Sequence, residues 1–317
     1  MEAKKSSYYR MLEFIPGVLT WSLLIFPFVF SFISPVAVAI FFLIYIELWF
    51  FRSIKFAIML IFGYMRTLRY KKIDYDNLLA CFSDDGCEKK LSKKQLIHKD
   101  FYKRIDALKE KGEFKKAEDI IHVVVLATYK EDIEILRSSI GQICNADYPK
   151  EKLYFVLATE ERDKERAEKY SKILKEEFGE KVGRFYSFMH PKDIEGEVIG
   201  KGGNITYSGK KITKILKEED VDLSNVILTT LDADNRVSKT YFKNLTYHYL
   251  ITENRKQKSF QPIPFFYNNI WQVPVFSRLV AISNTFWQMI QSVSKRNLRN
   301  FSSHAQSLDA LEEMNFW

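Results

Sequence analysis

The chain has 317 residues, 47% hydrophobic and 15% aromatic, which is too rich in core-forming side chains for a disordered or low-complexity protein. Its 48 basic and 40 acidic residues leave a formal charge of +8, and the excess is uneven: the first 72 residues carry nine Lys/Arg against three Asp/Glu, the other 245 carry 39 against 37. Without a basic stripe on the larger part, nucleic-acid binding is not expected.

From Phe14 through Ile46, 33 consecutive positions carry no charge. A straight helix from Phe14 to Phe51 would be about 57 Å long, nearly twice a hydrocarbon thickness of about 30 Å. It must break, and Ser34-Pro35 is the place, giving spans at Phe14 to Ile33 and Val36 to Phe51, with Glu47 near enough to the end to reach the headgroups. The apolar run is too long for a signal-peptide core, and no Ala-x-Ala site follows it. Basic residues flank both outer ends, so the positive-inside bias predicts a helical hairpin with both ends in the cytoplasm. Ile54 to Met65 either lengthens the second span or lies in the interface. Cys81, Cys87 and Cys144 show neither metal-ligand nor redox spacing, and they are expected as reduced thiols in a cytosolic domain.

The chain divides into a membrane hairpin with its juxtamembrane segment (1–72), a charged linker or cap (73–120) and an α/β domain (121–317). The Lys-heavy second part has weak helical periodicity over Ile97 to Leu108 and is expected to be solvated. From Ile121 the pattern changes. IHVVVLA predicts a buried strand, and Glu131 to Cys144 a helix with Ile133, Leu136, Ile140 and Ile143 on one face. Asp147-Tyr148-Pro149 turns the chain. LYFVLA (153–158) is a second strand, followed by a charged helix from Glu160 to Phe178. RFYSF (184–188) is a third strand, followed by a helix near Ile205 to Lys217, and VILTTLD (226–232) is a fourth. This alternation predicts a mainly parallel sheet covered on both faces, in which ligands bind beyond the carboxyl ends of the strands.

Three clusters stand at or near those ends. Thr128-Tyr129-Lys130-Glu131 follows the first strand. Gly200-Lys201-Gly202-Gly203-Asn204 opens a helix and offers backbone N–H groups and an ammonium to anionic oxygens. It is not a Walker A loop, because Gly196 to Gly200 is one residue short and Lys201 is followed by Gly, nor a dinucleotide fingerprint, because Ile205 takes the third glycine's place. Asp232-Ala233-Asp234-Asn235 follows the fourth strand, with two carboxylates able to face one divalent cation; an Asp-x-Asp is also a common turn.

In this order, behind a membrane hairpin, these elements resemble the family 2 glycosyltransferases with the GT-A fold, a nucleotide-diphospho-sugar transferase fold of Rossmann-like type. The resemblance covers residues 121 to 317 and is closest to membrane-integrated members such as cellulose and hyaluronan synthases. Gln261-Pro262 is similar to their Gln-Thr-Pro strand. Phe301-Ser302-Ser303-His304 before LDALEEMNFW is similar to their small-residue loop and the helix near the acceptor.

The resemblance implies an inverting glycosyltransferase of the hexosyltransferase class, in the cell (inner) membrane with a cytosolic catalytic domain. It would move a sugar from a nucleotide-diphosphate sugar to a polysaccharide or lipid-linked acceptor. Thr128, Tyr129 and Glu131 would contact the base and ribose, with Glu160 standing in for the family's base-contacting Asp. Lys201 and Asn204 would lie along the donor, and Asp232 would meet ribose or metal. Asp234 would coordinate Mg²⁺ or Mn²⁺ on the diphosphate, while Gln261, Ser303 and His304 would stand on the acceptor side. The family's catalytic base and Gln-x-x-Arg-Trp segment come after the Asn-Phe-Trp region, so the base is expected C-terminal to Trp317, in a longer enzyme. A chain ending there would instead be a donor-binding but inactive membrane protein. An aspartyl phosphatase also begins with Asp-x-Asp, the first Asp acting as nucleophile, but Arg236 stands where that motif wants Thr or Val.

Two further expectations concern packing. His190-Pro191 is expected as a loop turn. Val275 to Ile290 is amphipathic, with Phe276, Leu279, Val280, Phe286 and Ile290 near one face, and is expected to pack into the core rather than lie at a membrane interface.

Overall fold

The computed structural model describes residues 7–84, 86–87, 91–192, 194, 200–266, 268, 270–294 and 303–316. Gly196, Phe301, Ser302 and Trp317 lie outside them. The chain opens with two long helices, α1 (Ser7–Ser31) and α2 (Pro35–Tyr70). The break falls at Ser34-Pro35: the Ser34 hydroxyl accepts from Ala37 N at 3.4 Å, and Pro35 takes the first helical position, where its missing N–H costs nothing. Both helices are long and apolar enough to cross a membrane. Ile54 to Met65 belongs to α2 without interruption.

The remaining elements are α3 (Tyr75–Ala80), α4 (Phe101–Glu110), β1 (Ile121–Ala127), α5 (Ile133–Cys144), β2 (Leu153–Glu160), α6 (Lys164–Phe178), β3 (Arg184–His190), α7 (Lys201–Glu218), β4 (Val226–Asp232), α8 (Tyr241–Ile251), β5 (Ser259–Phe260), α9 (Val275–Val293), β6 (His304–Ser307) and α10 (Leu308–Glu313). Among the described residues they form one six-stranded sheet in the order β3-β2-β1-β4-β6-β5. The first four strands are parallel; β6 runs antiparallel to β4, and β5 antiparallel to β6.

The period of two along each strand sorts the core onto two faces. Val123, Val125 and Val156 pack with Ile212 and Leu216 of α7 and Leu308 and Leu311 of α10. Val124, Leu126 and Phe155 pack with Leu136 and Ile140 of α5 and Leu174 of α6. The chain is thus an α/β protein with a mainly parallel sheet behind a two-helix apolar hairpin.

Four expectations are corrected. The described part of 73–120 follows the cap alternative and is not a solvated linker: Tyr75, Leu78, Phe82, Phe101 and Ile105 are buried against Tyr247 and Leu250 of α8. The charges of this segment hid a sparse set of aromatic anchors, whose rings meet at 6.0 Å (Phe82–Phe101) and 6.1 Å (Phe101–Tyr247). Cys81 and Cys87 are not reduced thiols but a disulfide, closed across a turn in which Gly86 takes φ +68° and donates its N–H to Ser83 O; Cys144 is free. His190 is the last residue of β3 rather than a turn, with its ring 5.3 Å from that of Tyr207.

The fourth concerns α9, whose apolar face is not in the core. Phe276 is 83% exposed, Leu279 and Val280 are also exposed, and the helix lies instead along α2. Arg66 Nη1 donates to Ser292 O at 2.7 Å, Phe56 and Trp287 meet edge to face at 5.7 Å, and Gly63, the one buried residue of α2, sits against the Met289 backbone. The side chains expected inside therefore extend the apolar surface of the hairpin.

Candidate active site

The strand register brings the clusters together. Ala127 of β1 lies beside Ala158 of β2 on one side and Asp232 of β4 on the other, so the residues after these positions leave the sheet along one edge. Ala158 O anchors that edge, accepting from Thr128 N and from Asn204 Nδ2, both at 2.9 Å.

Glu131 fixes the turn after β1. One oxygen of its carboxylate accepts from the Thr128 hydroxyl (2.8 Å), Tyr129 N (2.7 Å) and Lys130 N (3.2 Å). Burial pushes its pKa up, but these bonds outweigh burial and hold it below the ordinary glutamate value. Glu131 thus shapes the loop that presents Tyr129. Glu160, at the end of β2, is 5% exposed, and its Oε2 accepts from Arg162 Nε at 2.7 Å and also from Nη2. The Arg162 guanidinium lies over the Tyr129 ring, 4.5 Å from its centre. A shallow cavity opens beside this group, lined among others by Thr128, Tyr129, Asp163, Arg166 and Tyr170.

The Gly-rich segment forms the first turn of α7. Gly200 is its N-cap and provides no side-chain cap, and no side chain among the described residues bonds the first-turn amides, which point where an anion could meet them. Lys201, the first helical residue, reaches across to pair its ammonium with Asp232. Burial pulls the Lys201 pKa down, and the nearby carboxylates of Asp234 and Glu131 work against that shift. Four groups from three elements, Lys201, Asp232, Asp234 and Glu131, therefore share one electrostatic neighbourhood. Asn204 is 1% exposed; its Nδ2 ties α7 to the end of β2, and its Oδ1 has no hydrogen-bond partner among the described residues.

Asp234 is exposed on the turn after β4, and its carbonyl accepts from Asn268 Nδ2 at 3.1 Å. Asn235 Nδ2 donates to Ser303 Oγ, and His304 pairs with Thr230 across β6 and β4, accepting the Thr230 hydroxyl at its carbonyl (3.3 Å). Ser303 and His304 are thus brought to the Asp-x-Asp turn by a strand. Gln261 follows β5 directly and is half-buried. Sequence reasoning missed Arg162 and Asn235; an arginine two residues after a strand-terminal glutamate was the available signal for the first.

Among the described residues no three or more Asp, Glu, His or Cys side chains gather as a metal-binding group. The donor set still fits Mg²⁺ or Mn²⁺ in a nucleotide site, where one or two carboxylates suffice and phosphates and water complete the shell. Asp232 and Asp234 are the two that would hold the ion.

No family profile and no curated protein matches the sequence. Solved structures with a similar arrangement include residues 1–349 of S. aureus TarS (9% identity, TM-score 0.32), with 62% of this chain and 49% of that one covered. Another is the mannosyltransferase PcManGT from Pyrobaculum calidifontis, in complex with GDP-Man and Mn²⁺ (13%, TM-score 0.35), with 61% and 46% covered. A third is mouse xyloside xylosyltransferase 1 in its apo form (12%, TM-score 0.32), with 61% and 69% covered. The match thus spans about half the length of the first two.

Proposed function

We propose that this protein is a membrane-attached, inverting glycosyltransferase of the GT-A, family 2 type that uses a nucleotide-diphosphate sugar. The observation that carries the proposal is the grouping of Lys201, Asp232, Asp234 and Glu131 at the carboxyl edge of the sheet, beside the first turn of α7. A diphosphate needs cations and N–H donors, and its divalent ion needs carboxylates; this edge supplies both. The bound ion would neutralise charge on the leaving nucleoside diphosphate.

The chain's own residues then have distinct tasks. The α7 amides and Lys201 hold phosphate oxygens, which releases Asp232 from its ion pair. Tyr129 and Glu160 stand where base and ribose would lie, with Glu131 bracing the loop. Ser303 and His304 face the sugar from the acceptor side, toward a polysaccharide or lipid-linked acceptor. We assign the base that activates the acceptor to no residue of this chain.

Membrane attachment is supported by the hairpin and by the outward apolar face of α9, which lies against α2. The basic residues at both ends of the hairpin favour a cytosolic site in the cell membrane. Turnover tests the proposal once the acceptor-activating base is present: membranes containing a form of the protein extended past Trp317 to include that base should release nucleoside diphosphate from a nucleotide sugar in the presence of Mn²⁺. Asp234→Ala should lower that rate at least about 100-fold. Equal rates for the two proteins would remove Asp234 from the site.

A further inference from the structure

Arg162 stands on the short turn between β2 and α6. It covers the Tyr129 ring at 4.5 Å and bonds to Oε2 of the buried Glu160, leaving Oε1 outside that pair. A carboxylate as buried as Glu160 is costly to leave without donors. Arg162 provides them while its own side chain remains 31% exposed, so it can swing into water.

A nucleobase in this place would need the same two things: an aromatic face to stack on, and a carboxylate to accept its N–H. Aromatic partners stack with centroids about 4.5 Å or more apart. A base threaded between Tyr129 and Arg162 would therefore need about twice the observed separation.

We propose that Arg162 is a place-holder in the base subsite: it occupies the Tyr129 face and the Glu160 carboxylate in the donor-free protein, and a base with an N–H donor displaces it. The inference rests on the nucleotide-sugar reading of the site and deepens it. It makes Arg162 a residue that sets both affinity and base choice, since a base that cannot donate to Glu160 would strand a buried charge.

The sign of one substitution separates this from the ordinary expectation. Loss of a cation weakens the binding of any anion by general electrostatics, whereas loss of a competitor tightens the binding of the ligand it competes with. Calorimetry on the full chain in detergent would use UDP, GDP, ADP and CDP, each with Mn²⁺, and pyrophosphate with Mn²⁺ as a probe without a base. Arg162→Ala should bind its preferred nucleoside diphosphate about three- to tenfold tighter than the parent. Arg162→Lys, which keeps the charge but loses the flat stacking surface, should fall between them. Pyrophosphate should gain nothing. Unchanged or weaker nucleoside diphosphate binding by Arg162→Ala, with the parent still binding, would overturn the place-holder and leave the nucleotide site standing. Absence of nucleoside diphosphate binding by parent and variants alike would overturn the site itself, and the place-holder with it.

Discussion

Acid should weaken this fold through its buried imidazoles, and His122 isolates the effect of one of them. His122 in β1 is 0% exposed; its Nε2 meets the Thr246 hydroxyl at 2.8 Å, and its Nδ1 has no hydrogen-bond partner among the described residues. Burial lowers its pKa from 6.5 to about 3. The unfolded chain therefore takes up a proton near pH 6.5 that the folded chain refuses until about pH 3. The stabilising effect is complete above the unfolded value and is lost as pH falls through that window, with a slope approaching about 1.4 kcal/mol per pH unit. Between pH 8 and pH 5 this single site costs about 2 kcal/mol. His122→Gln removes the titration and keeps a side-chain amide near Thr246. Hydrogen exchange of the β1 and β2 amides, corrected for intrinsic rates, reports the opening free energy of the core. His98 and His248, whose pKa values burial also lowers to about 4 and about 3, titrate in both proteins and cancel in the comparison. The parent should lose about 2 kcal/mol more than the variant between pH 8 and pH 5; parallel profiles would refute the claim that His122 is held neutral.

Two other outcomes follow from packing and chemistry. At Gly63 a Cβ would collide with the Met289 backbone, whereas at Gly17 it would meet nothing within 4 Å. Gly63→Leu should therefore cost about 1–3 kcal/mol at the α2–α9 contact and speed hydrogen exchange in α9, while Gly17→Leu leaves α9 unchanged; equal behaviour would dissolve the contact. The Cys81–Cys87 bond and the basic flanks of the hairpin point to opposite sides of the membrane, since disulfides persist in oxidising compartments. Alkylation in lysates prepared without reductant should leave Cys81 and Cys87 unmodified and label Cys144 slowly, because burial pushes that thiol up to about 11. Rapid labelling of Cys81 and Cys87 would return them to free thiols and keep the proposed cytosolic side, whereas their protection would count against that placement.

The parallel strands were legible because each is buried on both faces and reads as a short apolar run, as IHVVVLA and VILTTLD do. Ser34-Pro35 was legible because a cap and a proline write a helix start into two residues. Helix α8 escaped notice because it is buried on several sides at once, with Phe242 toward α5 and α6 and Tyr247 toward the cap, so it lacks a one-sided period. Strand β6 is four residues long and its pattern, HAQS, carries no apolar run; only its pairing with β4 makes it a strand. For α9 the amphipathic pattern was correct, but periodicity says which residues share a face and not what covers it. Around the candidate site, the position of the clusters after the strands was readable, whereas the hydrogen bonds that Asn204 and Glu131 make to neighbouring backbone were not, because only the folded chain brings those partners together.

The central claim is that the carboxyl edge of the sheet holds a nucleoside diphosphate through Asp234 and a divalent ion. Calorimetric titration of the full chain in detergent with UDP and with GDP measures it most directly. At least one should bind in the presence of Mn²⁺, lose that binding in EDTA, and bind Asp234→Ala at least about 50-fold more weakly. Binding indifferent to metal and to Asp234, or no binding of either nucleotide, would contradict the account.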